Sequence, residues 1–169
     1  MNGDANPFAV LSLIVAPAIL TNAASVLAMS TSNRLARAVD RARALSNLLE
    51  ETPDCSTPVA TRQLRELSVA EQRALLLLQA LRNIYVALGG FASTALLSLI
   101  GALAVPLGLG LLAPGIEITA ALVGLVAIGA LLNGSFVLVR ETRLAVRILQ
   151  DRTATLRLRV RSGAGGQPA

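Results

Sequence analysis

Three long segments of the chain are almost free of charge, and this feature constrains its fold more than any other. They cover residues 8–30, 84–105 and 116–139, and Glu117 is the only charged side chain within them. A helix needs about 20 residues to cross about 30 Å of hydrocarbon. Because the apolar residues of a soluble domain recur with helix or strand period instead of running together, the segments predict an all-α integral membrane protein with three long transmembrane helices.

The basic residues set the expected orientation. All 15 are arginines; eight lie between the first two spans, at residues 34–82, and seven follow the third, at residues 140–161. Only Asp4 and Glu117 are charged on the opposite side. Since arginine-rich segments stay in the cytoplasm, we expect a multi-pass protein with its N-terminus outside and its C-terminus cytoplasmic. The acidic leader is unlike a cleaved signal peptide, so we expect the first span to be retained.

The helices are expected to continue beyond the bilayer. Apolar residues keep helical spacing on both sides of a break between Pro53 and Pro58, and a heptad pattern follows the third span. These patterns predict helices at residues 7–51, 58–105 and 116–161, whose outer halves form a cytoplasmic helical bundle. Residues 156–161 also alternate with period two, which leaves a short strand as the alternative there. The polar, glycine-rich residues 162–169 predict a disordered tail.

The connection between the second and third spans has a composition of its own. Residues 106–115 are apolar but rich in proline and glycine. This composition favours a tight turn at the far membrane surface. A short re-entrant piece at residues 107–112 is the alternative.

A polar stripe in the first span is a candidate pore lining. Pro17 removes a backbone hydrogen bond in the middle of the span, and Thr21, Asn22 and Ser25 follow about one turn later on a shared face. Polar side chains in a bilayer face a protein neighbour or water. In an oligomer the stripe could therefore line an axis. The alternative is that it forms hydrogen bonds to a neighbouring helix or to its own carbonyls.

The charged residues nearest the two membrane surfaces suggest further roles. Arg34, Arg82 and Arg140 border the spans and are expected to anchor to lipid headgroups. Glu117 would form an acidic ring that attracts cations if several subunits met at the outer face. The alternative for Glu117 is a solvated acid in the first helical turn, where it faces the helix dipole.

The remaining charges indicate ion pairs within the chain. Arg37, Asp40, Arg41 and Arg43 lie close together on the extension of the first helix, and other acids are interleaved with the arginines. Aromatic residues that could stack on bases are missing from these segments. We therefore expect cytoplasmic ion pairs and no nucleic-acid partner.

The composition also excludes several kinds of chemistry. The chain has no histidine and no lysine, and Cys55 is its single cysteine. Histidine bases, Schiff-base lysines, Walker-type phosphate loops and Cys/His zinc sites are therefore ruled out. We expect no enzyme, no cofactor and no metal site.

One run of residues resembles a known family. It is Asn33-Arg34-Leu-Ala-Arg37-Ala-Val-Asp40-Arg41-Ala-Arg43, which follows Ala16-Pro17-Ala18 and is joined by an Arg-Glu-x-x-Leu pattern at residues 140–144. This resembles a family of small bacterial membrane proteins, domain-of-unknown-function family 2721, over residues 11–151. The resemblance implies membrane topology and bacterial origin but no activity.

Two functions remain open from the sequence. One subunit has only three spans, so stripes of small and polar residues are left without a partner helix within it. This favours a homo-oligomer in the bacterial inner membrane. The first hypothesis is a channel-like assembly with the first helix lining the axis. The alternative is a structural or scaffold protein whose cytoplasmic bundle docks a protein partner.

Overall fold

Three α-helices make up the regular structure of the part of the chain that is described. The computed structural model describes the backbone of residues 7–51, 57–104, 106–108, 110–111 and 113–164, with side chains from residue 15 to 146 and at Gln150. The helices are α1 (Pro7–Glu50), α2 (Pro58–Ala104) and α3 (Ala113–Ala164). Each contains a segment long and apolar enough to cross a membrane. The prediction of an all-α protein with three membrane-compatible helices is therefore confirmed.

Local signals explain where the first two helices begin. Pro7 and Pro58 occupy the first helical positions, where the missing N–H costs nothing and the fixed φ suits a helix. Thr57 caps α2, because its hydroxyl accepts a hydrogen bond of 3.2 Å from the backbone N–H of Ala60. α1 ends at Glu50, and the N–H of Glu51 donates to the carbonyl of Asn47 over 3.1 Å.

The third helix is longer than the sequence pattern suggested. α3 begins at Ala113 instead of residue 116, because Pro114 sits in its first turn and needs no donor there. It is helical over residues 156–161, where a strand was the alternative, and continues through residues 162–164, which were expected to be disordered. After Pro114, the sequence of the helix contains no further proline and no pair of adjacent glycines before residue 165. The rest of the predicted tail, residues 165–169, lies outside the described residues.

The described residues of the connection between α2 and α3 form turns. Gly108 has a φ of +78°, a conformation that residues with a Cβ adopt only with strain. The N–H of Ala113 donates to the carbonyl of Gly110 over 3.3 Å and joins the turn to the start of α3. The chain therefore reverses over few residues, and α2 and α3 run antiparallel.

α2 is the central helix of the fold. It packs along both α1 and α3, which contact each other far less. The core where all three meet contains small and large apolar residues: Ala24, Ala28, Leu81, Ile84, Ala87, Phe91 and Ala127. Without a hydrophobic driving force in lipid, small residues stabilise such helix contacts because they let the backbones approach.

Glycines mark the closest approaches of α2 and α3. A Cβ added at Gly90 would lie 2.6 Å from the Cβ of Ala127, and one added at Gly134 would lie 3.2 Å from Ile84 Cγ1. The Thr94 hydroxyl lies 3.4 Å from the carbonyl of Ala120. These contacts keep an antiparallel register along the membrane-compatible segments.

The outer surface of these segments is apolar. Ile19, Leu122 and Leu125 are each 60% exposed or more within the single chain. A soluble protein would bury such side chains, whereas a bilayer solvates them. The arrangement is compatible with a multi-pass membrane protein.

Candidate functional site

The feature with the most chemistry is a buried carboxylate that joins all three helices. Glu141 of α3 is fully buried, with 0% of its side chain exposed. Its Oε1 accepts hydrogen bonds from Arg73 Nε at 3.0 Å and Arg73 Nη2 at 2.8 Å. Its Oε2 accepts a hydrogen bond from Arg34 Nη2. We call Arg34, Arg73 and Glu141 the Glu141 clamp.

Each helix supplies one member of the clamp at the same level of the fold. Arg34 follows the apolar segment of α1, Glu141 follows that of α3, and Arg73 lies on α2 between them. Arg34 also donates to the Thr142 hydroxyl over 3.3 Å, and that hydroxyl donates to the carbonyl of Leu138. The antiparallel register of the helices brings these residues together although they lie 68 and 107 positions apart.

The electrostatics of the clamp favour a structural role. Burial of an unpaired carboxylate costs several kcal/mol, and two guanidinium partners offset that cost. The arginines keep 33% and 37% of their side chains exposed, so they remain partly hydrated. Because both oxygens of Glu141 hold arginines and neither meets solvent, the carboxylate fixes helix positions and presents no base to a substrate.

A second group of ion pairs lies further from the apolar segments. Arg41 Nη2 lies 3.2 Å from Glu66 Oε2, and Arg62 Nε lies 3.4 Å from Glu66 Oε1. The side chains of Arg41 and Arg62 are 56% and 65% exposed. Exposed pairs of this kind contribute about 0–1 kcal/mol each. The Arg41 pair joins α1 to α2 beyond the clamp, whereas Arg62 and Glu66 pair within α2.

The predicted charged residues separate into different environments. Arg34 belongs to the clamp, whereas Arg82 and Arg140 are exposed. Arg41 pairs with Glu66, a partner from another helix. The other predicted members of this group, Arg37, Asp40 and Arg43, are exposed, and none joins an ion pair among the described residues.

The candidate pore stripe is mostly satisfied within α1. The Thr21 hydroxyl donates to the carbonyl of Pro17 over 2.8 Å, and the Ser25 hydroxyl donates to the carbonyl of Thr21 over 2.9 Å. Pro17 is buried against the rest of the chain. Asn22 is exposed, on a surface that the single chain leaves uncovered. The stripe thus combines hydroxyls bonded to their own helix with one outward-facing amide.

Glu117 is exposed at the opposite end of the molecule. Because α3 begins at Ala113, Glu117 falls beyond the first helical turn, which contains no acidic residue. The interaction of a charge with the helix dipole decays within that first turn. The dipole therefore explains little of the position of Glu117.

The family follows from comparison with known proteins. Residues 14–151 match the family described as "Protein of unknown function (DUF2721)". The chain belongs to the DUF2721 family. Searches of the curated proteins and of the solved structures found no match. All three residues of the Glu141 clamp lie within the part of this DUF2721 chain that the family covers.

Sequence reasoning did not find the clamp of this DUF2721 chain. Glu141 was one of several acids among arginines, and Arg73 lies eleven positions before the predicted start of the second span. The sequence signal that was available is the single acid between Arg140 and Arg143, directly at the end of an apolar segment. A carboxylate in that position needs a cationic partner, but only the helix register identifies the partner.

Proposed function

We propose that this DUF2721 protein is a self-associating scaffold of the bacterial inner membrane whose rigid helical stalk docks a cytoplasmic protein. The stalk is the part of the helices beyond the clamp: residues 35–50 of α1, 58–72 of α2 and 142–164 of α3. The observation that carries the proposal is the Glu141 clamp. It joins α1 and α3, at the ends of their apolar segments, to α2 eleven positions before its predicted span, so that the stalk and the spans hold one relative position.

The charge distribution supports the placement of the stalk in the cytoplasm. All arginines of the chain lie at this end of the helices, whereas Glu117 lies at the other. Such a bias is the main determinant of orientation for short connections. All basic residues of the chain are arginines, and alanine and leucine are abundant. This composition supports a bacterial source with a GC-rich genome.

Exposed apolar residues near the free end of the stalk support docking. Leu48, Val59 and Leu64 are 46%, 64% and 48% exposed, although they lie far along the helices from the apolar segments. Exposed apolar side chains in contact with water favour protein–protein contact. We call these three residues the stalk tip.

The exposed amide of Asn22 supports self-association. An amide in hydrocarbon without a partner costs free energy, and hydrogen bonds between polar side chains of adjacent helices stabilise membrane assemblies by about 1 kcal/mol. A second copy of the chain would offer such a partner. The channel-like assembly is the second candidate, because the same surface of α1, with Asn22 and Ser25, could face an axis.

Two observations favour the scaffold over the channel. The hydroxyls of Thr21 and Ser25 are already bonded to their own helix, which leaves Asn22 as the one free donor of the predicted stripe. Pro17, which a pore lining would expose, is buried within the single chain.

Photocrosslinking in cells tests the docking function. A photoreactive residue at Val59 is expected to give a discrete adduct with a second, different protein, because the stalk tip contacts its partner. The matched control is Ser68, an exposed position on the same helix outside the stalk tip, which should give no such adduct. Leu64→Asp should abolish the Val59 adduct, because a charge cannot replace an apolar contact.

Ion flux into liposomes separates the two candidates. The scaffold predicts no flux above that of protein-free vesicles. If Val59 gave adducts only with other copies of the chain, and the reconstituted protein conducted ions in a way that Asn22→Leu abolished, the channel would replace the scaffold.

A further inference from the structure

We propose that a groove on the surface of α2 around Arg82 binds the phosphate group of an anionic phospholipid. The groove is a shallow depression formed by α2 alone, with a volume of about 870 Å³, and most of it is open to the surroundings. Its lining consists of apolar side chains together with Gln79, Arg82 and Tyr85. None of these three polar residues belongs to the Glu141 clamp, and the inference does not depend on the scaffold function.

The charge of Arg82 is not balanced by the protein. The residue is exposed, and it takes part in no ion pair among the described residues. On α3, Gly134 packs against Ala80 and Ile84, beside Arg82, and the nearest acid of that helix, Glu141, lies seven positions or about 10 Å further along, where Arg34 and Arg73 hold it. The nearest acid on α2 is Glu71, eleven positions and about 16 Å away. The guanidinium of Arg82 is therefore available to an anion from outside the chain.

The helix register places Arg82 at the depth of the lipid headgroups. Arg73, in the clamp, precedes it by about 14 Å along α2, and Ala104, the end of α2, follows it by about 33 Å. The second distance matches the hydrocarbon thickness of about 30 Å, and their sum of about 47 Å is slightly more than the 40–45 Å of a bilayer with its headgroups. Arg82 therefore lies at the inner edge of the hydrocarbon.

The direction of the Arg82 side chain is consistent with a position at the depth of the lipid headgroups. Side chains of a helix tilt toward its N-terminus, which for α2 is the arginine-rich end. The guanidinium of Arg82 consequently extends from the hydrocarbon edge into the headgroup layer, while its stem covers apolar surface. Tyr85, 54% exposed one turn deeper, is the type of residue that is enriched at this interface.

The groups of the groove match a phosphodiester bound to glycerol and acyl chains. A guanidinium binds two phosphate oxygens at once, and the Gln79 amide and Tyr85 hydroxyl are further donors along the same surface. Val86 and the Tyr85 ring continue toward the hydrocarbon, where acyl chains begin. Because the lipid must balance the arginine charge, the groove should prefer an anionic lipid over a zwitterionic one.

Native mass spectrometry of the full chain in detergent tests the site. Phosphatidylglycerol and phosphatidylcholine with identical acyl chains serve as probes. The unchanged protein should retain phosphatidylglycerol about tenfold more than phosphatidylcholine. Arg82→Gln should remove this preference, Arg82→Lys should retain part of it, and the control Arg43→Gln, at an exposed arginine of the stalk, should leave it unchanged.

Three results would overturn the proposal. These are equal retention of the two lipids by the unchanged protein, the same preference in Arg82→Gln, and displacement of the lipid by millimolar inorganic phosphate, which would indicate a site for free anions. If Arg82→Gln failed to fold, by loss of helical circular dichroism, the comparison of Arg82→Lys with Gln79→Leu and Tyr85→Leu would decide. A preference unchanged in both of the latter variants would assign the lipid to another surface.

Discussion

Glu141 is the residue on which the relation of the three helices most depends. Its carboxylate is fully buried and holds arginines of α1 and α2. A buried charge is stable only with its partners in place, and loss of a partner is more costly than replacement of the whole group. The clamp therefore forms only when all three helices have reached their native register, which gives it a role in the choice of that register.

Substitution of Glu141 by glutamine is expected to destabilise the protein strongly. The variant keeps the shape of the side chain but leaves two guanidinium groups without an opposite charge, so the free energy of unfolding should fall by about 3 kcal/mol. Unfolding in mixed micelles of increasing sodium dodecyl sulfate content, followed by circular dichroism, would measure it. The control, Glu66→Gln, removes the two exposed pairs with Arg41 and Arg62, each worth about 0–1 kcal/mol, and should cost clearly less than Glu141→Gln. Similar losses for both variants would contradict the role of the clamp.

The residues that the sequence could assign are those whose interactions are local. The hydroxyls of Thr21 and Ser25 donate hydrogen bonds to carbonyls four residues earlier in their own helix. The sequence predicts this arrangement as the alternative to a pore lining for the polar stripe of the first span. The clamp could not be derived in this way, because Arg34 and Glu141 are 107 positions apart. Their pairing depends on how far the helices slide past one another, and no periodicity within a single helix encodes that distance.

At the scale of the helices, the residue at which a helix begins follows from local sequence, whereas the contacts between helices do not. Pro58 and the cap by Thr57 are readable from the sequence alone. Gly89 and Gly90 are neighbours of the same type, yet a Cβ at Gly89 meets nothing within 4 Å, whereas one at Gly90 meets Ala127 at 2.6 Å. Only the position of α3 distinguishes the two glycines.

This difference predicts opposite effects for two adjacent substitutions. Gly90→Ala requires α2 and α3 to separate, since the new methyl group meets a Cβ and backbone that cannot rotate away, and should cost about 1–3 kcal/mol. Gly89→Ala adds a methyl group to open surface and should be neutral, or stabilise the helix by up to about 1 kcal/mol. The same detergent unfolding assay compares them. Equal stability of the two variants would show that α2 and α3 do not approach at Gly90.

At the scale of the whole molecule, both the charges and the packing distinguish one end of the helices from the other. The clamp, the pairs of Glu66 and all arginines lie at one end, while the turn with Gly108 and the exposed Glu117 lie at the other. The apolar lengths fit one bilayer between these ends. The number of membrane-compatible helices and the end that carries the arginines were thus predictable from composition along the chain, since they depend on sums over many residues and not on any single contact.

The natural cysteine makes the orientation directly testable. Cys55 is the single cysteine of the chain and lies in the connection between α1 and α2, at the arginine-rich end. If this end is cytoplasmic, a membrane-impermeant maleimide should leave Cys55 unlabelled in spheroplasts and label it after permeabilisation, because the intact inner membrane separates the reagent from the thiol. Glu117→Cys in a Cys55→Ser background is the matched control, since residue 117 is exposed at the other end and should be labelled without permeabilisation. The reverse pattern would place the stalk outside the cell and would remove the cytoplasmic partner from the proposed function.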